Sequence, residues 1–236
     1  MMNLIEIMSE IESLGSERTK KIYVSQGARE PLFGVASGAL KTIAKKIKKN
    51  QPIAEELYAT GNYDAMYLAG MIADPKNMTP EDFDRWIEKA YFYMISDFIV
   101  AVTLAETDFA QEVANKFIES GNELVMSAGW SCYEWLLGSR KDVEFNQSKI
   151  LSMLEAVEKE IHSQPNRTKY AMNRFVIAVG VSFIPLHEEA MGTAERIGEI
   201  SVSLGKSTSH VLNALGSIKS EIDKGRLGFK RKNVRC

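Results

Sequence analysis

The feature that most constrains this chain is an approximate repetition. Amphipathic segments of about ten residues follow one another, several of them opened by a capping residue or closed by glycine or proline. Four of them, near 63–73, 94–105, 124–137 and 169–180, carry small residues such as Ala69, Gly70, Ala128 and Gly180 along their inner face. Three of these begin about thirty residues apart, and the fourth is delayed by a long segment over 147–161. A helix pair cannot bury its apolar stripe alone, so pairs that recur at a fixed period stack on their neighbours. The expectation is an all-α protein of about a dozen helices, with residues 1–236 as a single domain and a basic tail from about 224. An irregular globular helical domain is the competing arrangement.

The individual segments read as follows. Leu4, Ile7, Met8 and Ile11 mark a first helix over 3–14, and residues 17–26 a second with Ile22 and Tyr23. Gly27 to Gly34, with Pro31 inside, is a loop. A basic helix from Ser37 to Lys49 faces Leu40, Ile43, Ala44 and Ile47 inward, Gln51-Pro52 starts the next, and Asn62 caps a third. Thr79-Pro80 is a strong helix start, and Ile95, Phe98, Ile99 and Val102 give the spacing of a buried face. Asp108 opens a short helix, Gly121-Asn122 punctuates, and Val125, Ala128, Cys132 and Trp135 line a helix ending near Gly138. Further helices begin after Asn146 (Ile150, Leu154, Val157), Pro165 (Met172, Phe175, Val176) and Pro185. Ser207 caps the last, with Val211, Leu212, Leu215 and Ile218. The pattern is that of an α-solenoid, a superhelix of HEAT-like repeats whose inner helices would gather the functional side chains.

Composition narrows the function. With 45% hydrophobic residues among 236 there is ample apolar material for a core. No stretch approaches eighteen apolar residues, so no membrane partner is expected. The start, Met1-Met2-Asn3-Leu4-Ile5-Glu6, lacks a basic region, and Cys132 and Cys236 offer no disulfide framework, so a reducing cytoplasm is the expected compartment. His162, His187 and His210 match no ligand spacing; neither a metal nor a cofactor is expected. Net charge is −2, yet Lys224, Arg226, Lys230, Arg231, Lys232 and Arg235 stand after 223 with no acid among them, leaving −8 for the remainder. Lys41, Lys45, Lys46, Lys48 and Lys49 crowd one short helix. Such clusters on an acidic body fit a phosphate-tracking face, or else a solvated helix and a frayed tail.

Asp97 interrupts an apolar helix four residues after Tyr93, a spacing that puts both on one α-helical face. The pair is either catalytic or a carboxylate with a structural partner. Trp130 and Trp135 read as packing. Arg174 breaks an apolar stripe and either reaches toward phosphate or pairs with an acid on a neighbouring helix; Arg167 and Lys169 stand at a helix start where phosphate could dock.

Residues 27–35 (Gly-Ala-Arg-Glu-Pro-Leu-Phe-Gly-Val), Glu56-Leu57-Tyr58, Tyr67 to Pro75, Asp84-Arg85-Trp86, Tyr170-Ala171-Met172-Asn173 and Gly225 to Lys232 together resemble the DNA alkylation repair family, the AlkD-like HEAT-repeat DNA glycosylases. The resemblance spans nearly the whole chain. It implies a curved repeat protein holding double-stranded DNA in a concave groove, and active members excise N3- and N7-alkylated purines. An alkylpurine is already a cationic leaving group, so excision needs a carboxylate about 3–4 Å from the developing oxocarbenium. Aromatic faces add about 0.5–2 kcal/mol each, and basic residues hold the flanking phosphates. The resemblance assigns the catalytic roles to Asp97 and Tyr93, with tyrosine where active members carry tryptophan; another register puts Ser96 and Val100 there. Phosphate contact would fall to Lys45, Lys46, Lys48, Lys49, Arg167, Lys169, Arg174, Lys230, Arg231 and Lys232. The family's arginine position falls near Met126-Ser127-Ala128 and its last tryptophan near Asn173-Arg174, so both are changed. Two functions follow: an alkylpurine glycosylase, or a HEAT-like nucleic-acid binder or protein scaffold without the chemistry.

Overall fold

A computed structural model describes residues 2–203 and 209–235. The chain divides after Thr107 into two compact units. Unit 1 contains α1 (Leu4–Ser13), α2 (Glu17–Ser25), α3 (Ser37–Ile47), α4 (Gln51–Ala59), α5 (Tyr63–Ile72) and α6 (Pro80–Lys89). It ends in a helix made of α7 (Tyr93–Ile95), a π-helical turn (Ser96–Val100) and α8 (Ala101–Leu104). Side-chain caps set the starts. Asn3 accepts from the Glu6 amide at 3.0 Å, Asn62 from the Asp64 amide at 3.0 Å, and Asp82 takes the Thr79 amide at 2.8 Å.

The core of unit 1 is aliphatic and aromatic. The rings of Tyr58 and Trp86 stack at 4.2 Å, and the Tyr58 hydroxyl donates to the Trp86 carbonyl at 2.6 Å. Both are almost wholly buried, at about 1.5–3 kcal/mol for a large side chain. The small residues of the inner helices have a packing reason. A Cβ on Gly70 would stand 2.5 Å from Ile99 Cγ2, so α5 and the π turn lie as close as they do only without one.

Unit 2 contains α9 (Ala110–Ile118), α10 (Glu123–Leu137), α11 (Gln147–Glu160), α12 (Asn166–Ser182) and α13 (His187–Ile197). A two-stranded antiparallel hairpin, β1 (Glu199–Ser203) with β2 (Ser209–Asn213), and α14 (Ala214–Asp223) complete it. Asn122 caps α10 by accepting from the Leu124 and Val125 amides. Hydrogen bonds tie the first turn of α12 to that of α10, and the Arg174–Glu134 pair links them further along, so the two helices run parallel. A Cβ on Gly180 would meet Ile218 at 2.6 Å, which keeps α14 tight on α12. No single helix among the described residues is long and apolar enough to cross a membrane.

The helical expectation needs two corrections. The last helix begins at Ala214, and residues 209–213 are strand; Ser207, its expected cap, lies outside the described residues. Asn213 caps the helix instead, accepting from the Gly216 amide at 2.7 Å. The missed signal is Glu199-Ile200-Ser201-Val202-Ser203, whose buried Ile200 and Val202 alternate with exposed neighbours. Five residues of period two are short, and Val211, Leu212, Leu215 and Ile218 also fit a helical stripe. The second correction is the π turn at Ser96–Val100, where an uninterrupted α-helix was expected.

Candidate nucleic-acid interface

In unit 1 Asp97 lies within the π turn and Tyr93 three residues before its start. A π turn closes over about one more residue than an α turn. It brings the ring of Phe98, five residues on, to 6.4 Å from that of Tyr93, where an α-helix would bring the residue four on. Asp97 is only 5% exposed, and Ser96 donates its hydroxyl to Oδ1 at 2.7 Å. Tyr93 is half-buried, its ring edge-on to Phe92 at 4.7 Å. Phe92 in turn meets Tyr63, and Tyr63 meets Tyr23 and Tyr67, a continuous aromatic wall at centroid separations of 5.0–6.0 Å. Burial pushes the hydroxyls of Tyr63 and Tyr67 up, so they stay neutral donors.

A second carboxylate in unit 1 escaped the sequence reading. Asp64, fully buried on α5, accepts from the amides of Phe33, Gly34 and Val35 at 2.6, 3.0 and 2.8 Å. Burial pushes its carboxyl above the usual range, and the three amides pull the other way without reversing it. These bonds fix the end of the 27–35 loop, residues 33–35, against α5. Asp64 is the second residue of α5, two after its cap Asn62, which on sequence reads as an ordinary first-turn acid.

The lysines of α3 and its C-terminal cap are exposed. Lys46 pairs with Glu10 at 2.7 Å and Lys49 with Asp74 at 3.6 Å, both with more than half of the lysine side chain open to solvent. Lys45 and Lys48 are exposed as well, and Lys48 takes a left-handed backbone at φ 63° that turns the chain off the helix.

In unit 2 the expected phosphate ligands separate. Arg167 and Arg174, seven residues or about two turns apart, share a face of α12, whereas Lys169 lies ~140° around the helix from Arg174. The Arg167 amide at the start of α12 donates to the Glu123 carboxylate at 2.8 Å, so this helix start already holds an anion from the protein. Arg174 is paired with Glu134 of α10 through both Nε, at 2.8 Å to Oε2, and Nη2 to Oε1. The Glu134 side chain is 9% exposed and that of Arg174 42%, so a buried acid holds a guanidinium that still opens outward. The ion pair and hydrogen bond from Glu134 raise the Arg174 pKa and keep it charged.

The basic segment after α14 is fastened, not frayed. The Gly228 amide donates to Val181 at 2.7 Å and the Arg231 amide to Gly138 at 2.7 Å. Lys230 Nζ reaches the Leu137 carbonyl at 2.7 Å and Asp142 at 2.8 Å. The Arg231 guanidinium lies 4.6 Å over the Trp135 ring, a cation–π contact. Arg226 and Lys224 both bind Glu221, at 2.7 Å each, and hold its carboxyl below the usual range. Lys232 is exposed. Arg174 and Arg231 therefore come together in unit 2, and Arg226, unassigned from the sequence, joins them.

Comparison with known proteins places these observations. A family profile described as "DNA alkylation repair enzyme" matches residues 7–196. "Uncharacterized protein Lin0241" of Listeria innocua serovar 6a is 30% identical over 224 residues, 93% of this chain and 97% of its own. "Uncharacterized protein Lmo0209" of Listeria monocytogenes serovar 1/2a is 29% identical over the same shares. A solved structure is 62% identical, covers 100% of both chains and superposes with a TM-score of 0.94. It is described as "A new family of proteins related to the HEAT-like repeat DNA glycosylases with affinity for branched DNA structures". The fold is accordingly of the HEAT-like repeat class expected from the recurring helix pairs.

Proposed function

The chain belongs to the DNA alkylation repair enzyme family, and from that premise we propose that it binds DNA, with preference for DNA whose duplex is interrupted by a branch. The observation that carries this reading is the fastening of the basic C-terminal segment to unit 2. Arg231 is fixed over Trp135 and Arg174 is held by Glu134, so two guanidiniums stand in one cleft before any ligand arrives. Cations fixed in advance lose less side-chain entropy on binding phosphate than those on a loose tail. The affinity for branched DNA in the description of the 62% identical protein supports the branch preference.

The test is a fluorescence anisotropy titration of a labelled four-way junction and a duplex of equal length at several salt concentrations. The junction binds more tightly, and log K falls linearly with log salt for both. Replacing Lys232 by alanine weakens both ligands about equally and reduces the salt slope by about 0.9 if it meets one phosphate. Equal affinities for junction and duplex would remove the branch preference, and no binding to either would remove DNA.

One observation favours a second activity on the same scaffold, alkylpurine excision in unit 1. Asp97 is a carboxylate in a water-poor setting, on the helix of half-buried Tyr93. There it would stabilise the positive charge that builds on deoxyribose as the glycosidic bond to the cationic purine breaks. Water adds to C1′, the bond electrons leave with the neutralised base, and the water proton passes to solvent. Incubation with N7-methylguanine DNA then releases free base, and Asp97→Asn abolishes release. Absence of release from the unaltered protein would leave DNA binding as the whole function.

A further inference from the structure

Unit 2 contains a cleft of about 770 Å³, within the range of small-molecule sites and larger than a nucleotide needs. Three guanidiniums border it from three elements: Arg174 on α12, Arg226 in the turn after α14, and Arg231 in the C-terminal segment. Each is braced by another group, Glu134, Glu221 and Trp135 respectively. With Glu134 and Glu221 also on the lining, three positive charges face two negative ones. Lys224 shares Glu221 with Arg226, so the cleft carries a net positive charge that suits the phosphate of a nucleotide. The same cleft is bordered by two large apolar side chains left open to solvent, Val211 at 61% and Phe229 at 54% exposure. Duplex DNA offers phosphate but keeps its base faces stacked, so duplex binding gives these two nothing to cover them. An unpaired nucleotide offers both an anion and an apolar π face.

We propose that this cleft receives one unpaired nucleotide of a DNA strand, its phosphodiester on the Arg226 and Arg231 side and its base against Phe229. The proposal rests on the DNA-binding reading and explains how an interrupted duplex would be told from a continuous one. A base at an interruption is cheap to unstack, and only there can it reach the cleft.

The experiment compares, by anisotropy, a labelled duplex with a one-adenine bulge, the same duplex fully paired, and the same duplex with an abasic bulge. The bulged duplex binds about tenfold or more tightly than the paired one, and the abasic bulge loses most of that advantage. Phe229→Ala, at an exposed position, brings the bulged duplex down to the affinity of the paired one, and Phe229→Trp retains the preference. No binding to any of the three defeats the DNA reading itself. Binding of all three with equal affinity, or a preference that survives Phe229→Ala, leaves DNA binding intact and overturns the cleft assignment. Free deoxyadenosine monophosphate is the remaining arm. Competition only at millimolar concentration fits a strand-borne nucleotide, and displacement of the bulged duplex at micromolar concentration overturns it in favour of a free-nucleotide site.

Discussion

The two units solve the same problem in different ways. Each places acids along an inner helix pair, α5 with the helix Tyr93–Leu104 in unit 1 and α10 with α12 in unit 2. In unit 1, backbone amides satisfy Asp64 and the Ser96 hydroxyl donates to Asp97. In unit 2, Glu123 takes the first-turn amide of α12, and Glu134 takes a guanidinium. Burial pushes the Asp64 carboxyl up even with three amides on it, and the wall beside it is aromatic. A carboxylate met by arginine is cancelled, and what remains at the surface is the outward part of a fixed cation. The difference teaches that unit 1 ties its buried carboxyls to backbone amides and a hydroxyl, whereas unit 2 uses one to fix an arginine at the surface.

The largest expected effect tests the first half of that contrast. Asp64→Ala leaves three amides without their acceptor and destabilises by about 4 kcal/mol, roughly 10 °C in Tm, read by thermal denaturation. If the loss is under about 1 kcal/mol, the 27–35 loop is held by other means. The same position carries a pH dependence. Burial raises the Asp64 carboxyl above its ordinary 3.8, so the folded state takes a proton more readily than the unfolded one. The stability this supplies is fully present below the unfolded value and lost as pH rises through the folded one. The Tm of the unaltered protein relative to Asp64→Asn therefore improves toward acid, checked by melts from pH 7 down to about 3.5.

Glu134→Ala comes next. A fully buried pair broken on one side costs about 3–5 kcal/mol, and the partial exposure of Arg174 lowers this to about 2–3. Adding Arg174→Met recovers most of it, because the stranded charge is gone. A double variant no better than the single one would mean that the two side chains act independently. Ser96→Ala removes one hydroxyl donor from Asp97 and costs about 1–2 kcal/mol by denaturant titration. At the small end, Arg196→Ala breaks an exposed pair with Glu158 and shifts stability by under about 0.5 kcal/mol. A larger loss there would show that the pair is not merely a solvated surface contact.

Parts of this were legible from the residues. The helix-pair repetition, the small inner residues and the caps Asn62 and Thr79 lie within short windows, and they mark where helices begin and which face turns inward. Arg174 was legible as a choice between phosphate and a neighbouring acid, and the structure pairs it with Glu134 while leaving it partly exposed. Asp97 was legible as a carboxylate out of place, but its surroundings were not. A π turn differs from an α turn by one residue and leaves no periodic trace in a segment of twelve. The basic tail was legible as a phosphate-tracking face or a frayed end, and its fastening was not, because its anchors are the carbonyls of Leu137, Gly138 and Val181, groups every residue possesses.

The sequence by itself determined the repeating helical architecture and the supply of charge, because periodicity and capping act over a few residues. The tertiary structure decided which charges survive as a surface. Arg174 meets Glu134 across 40 residues, Asp64 meets the Phe33 amide across 31, and Lys230 meets Leu137 across 93. The electrostatics of a buried group are set by whichever donor packing brings within about 3 Å, and that distance is fixed only when the helices have docked.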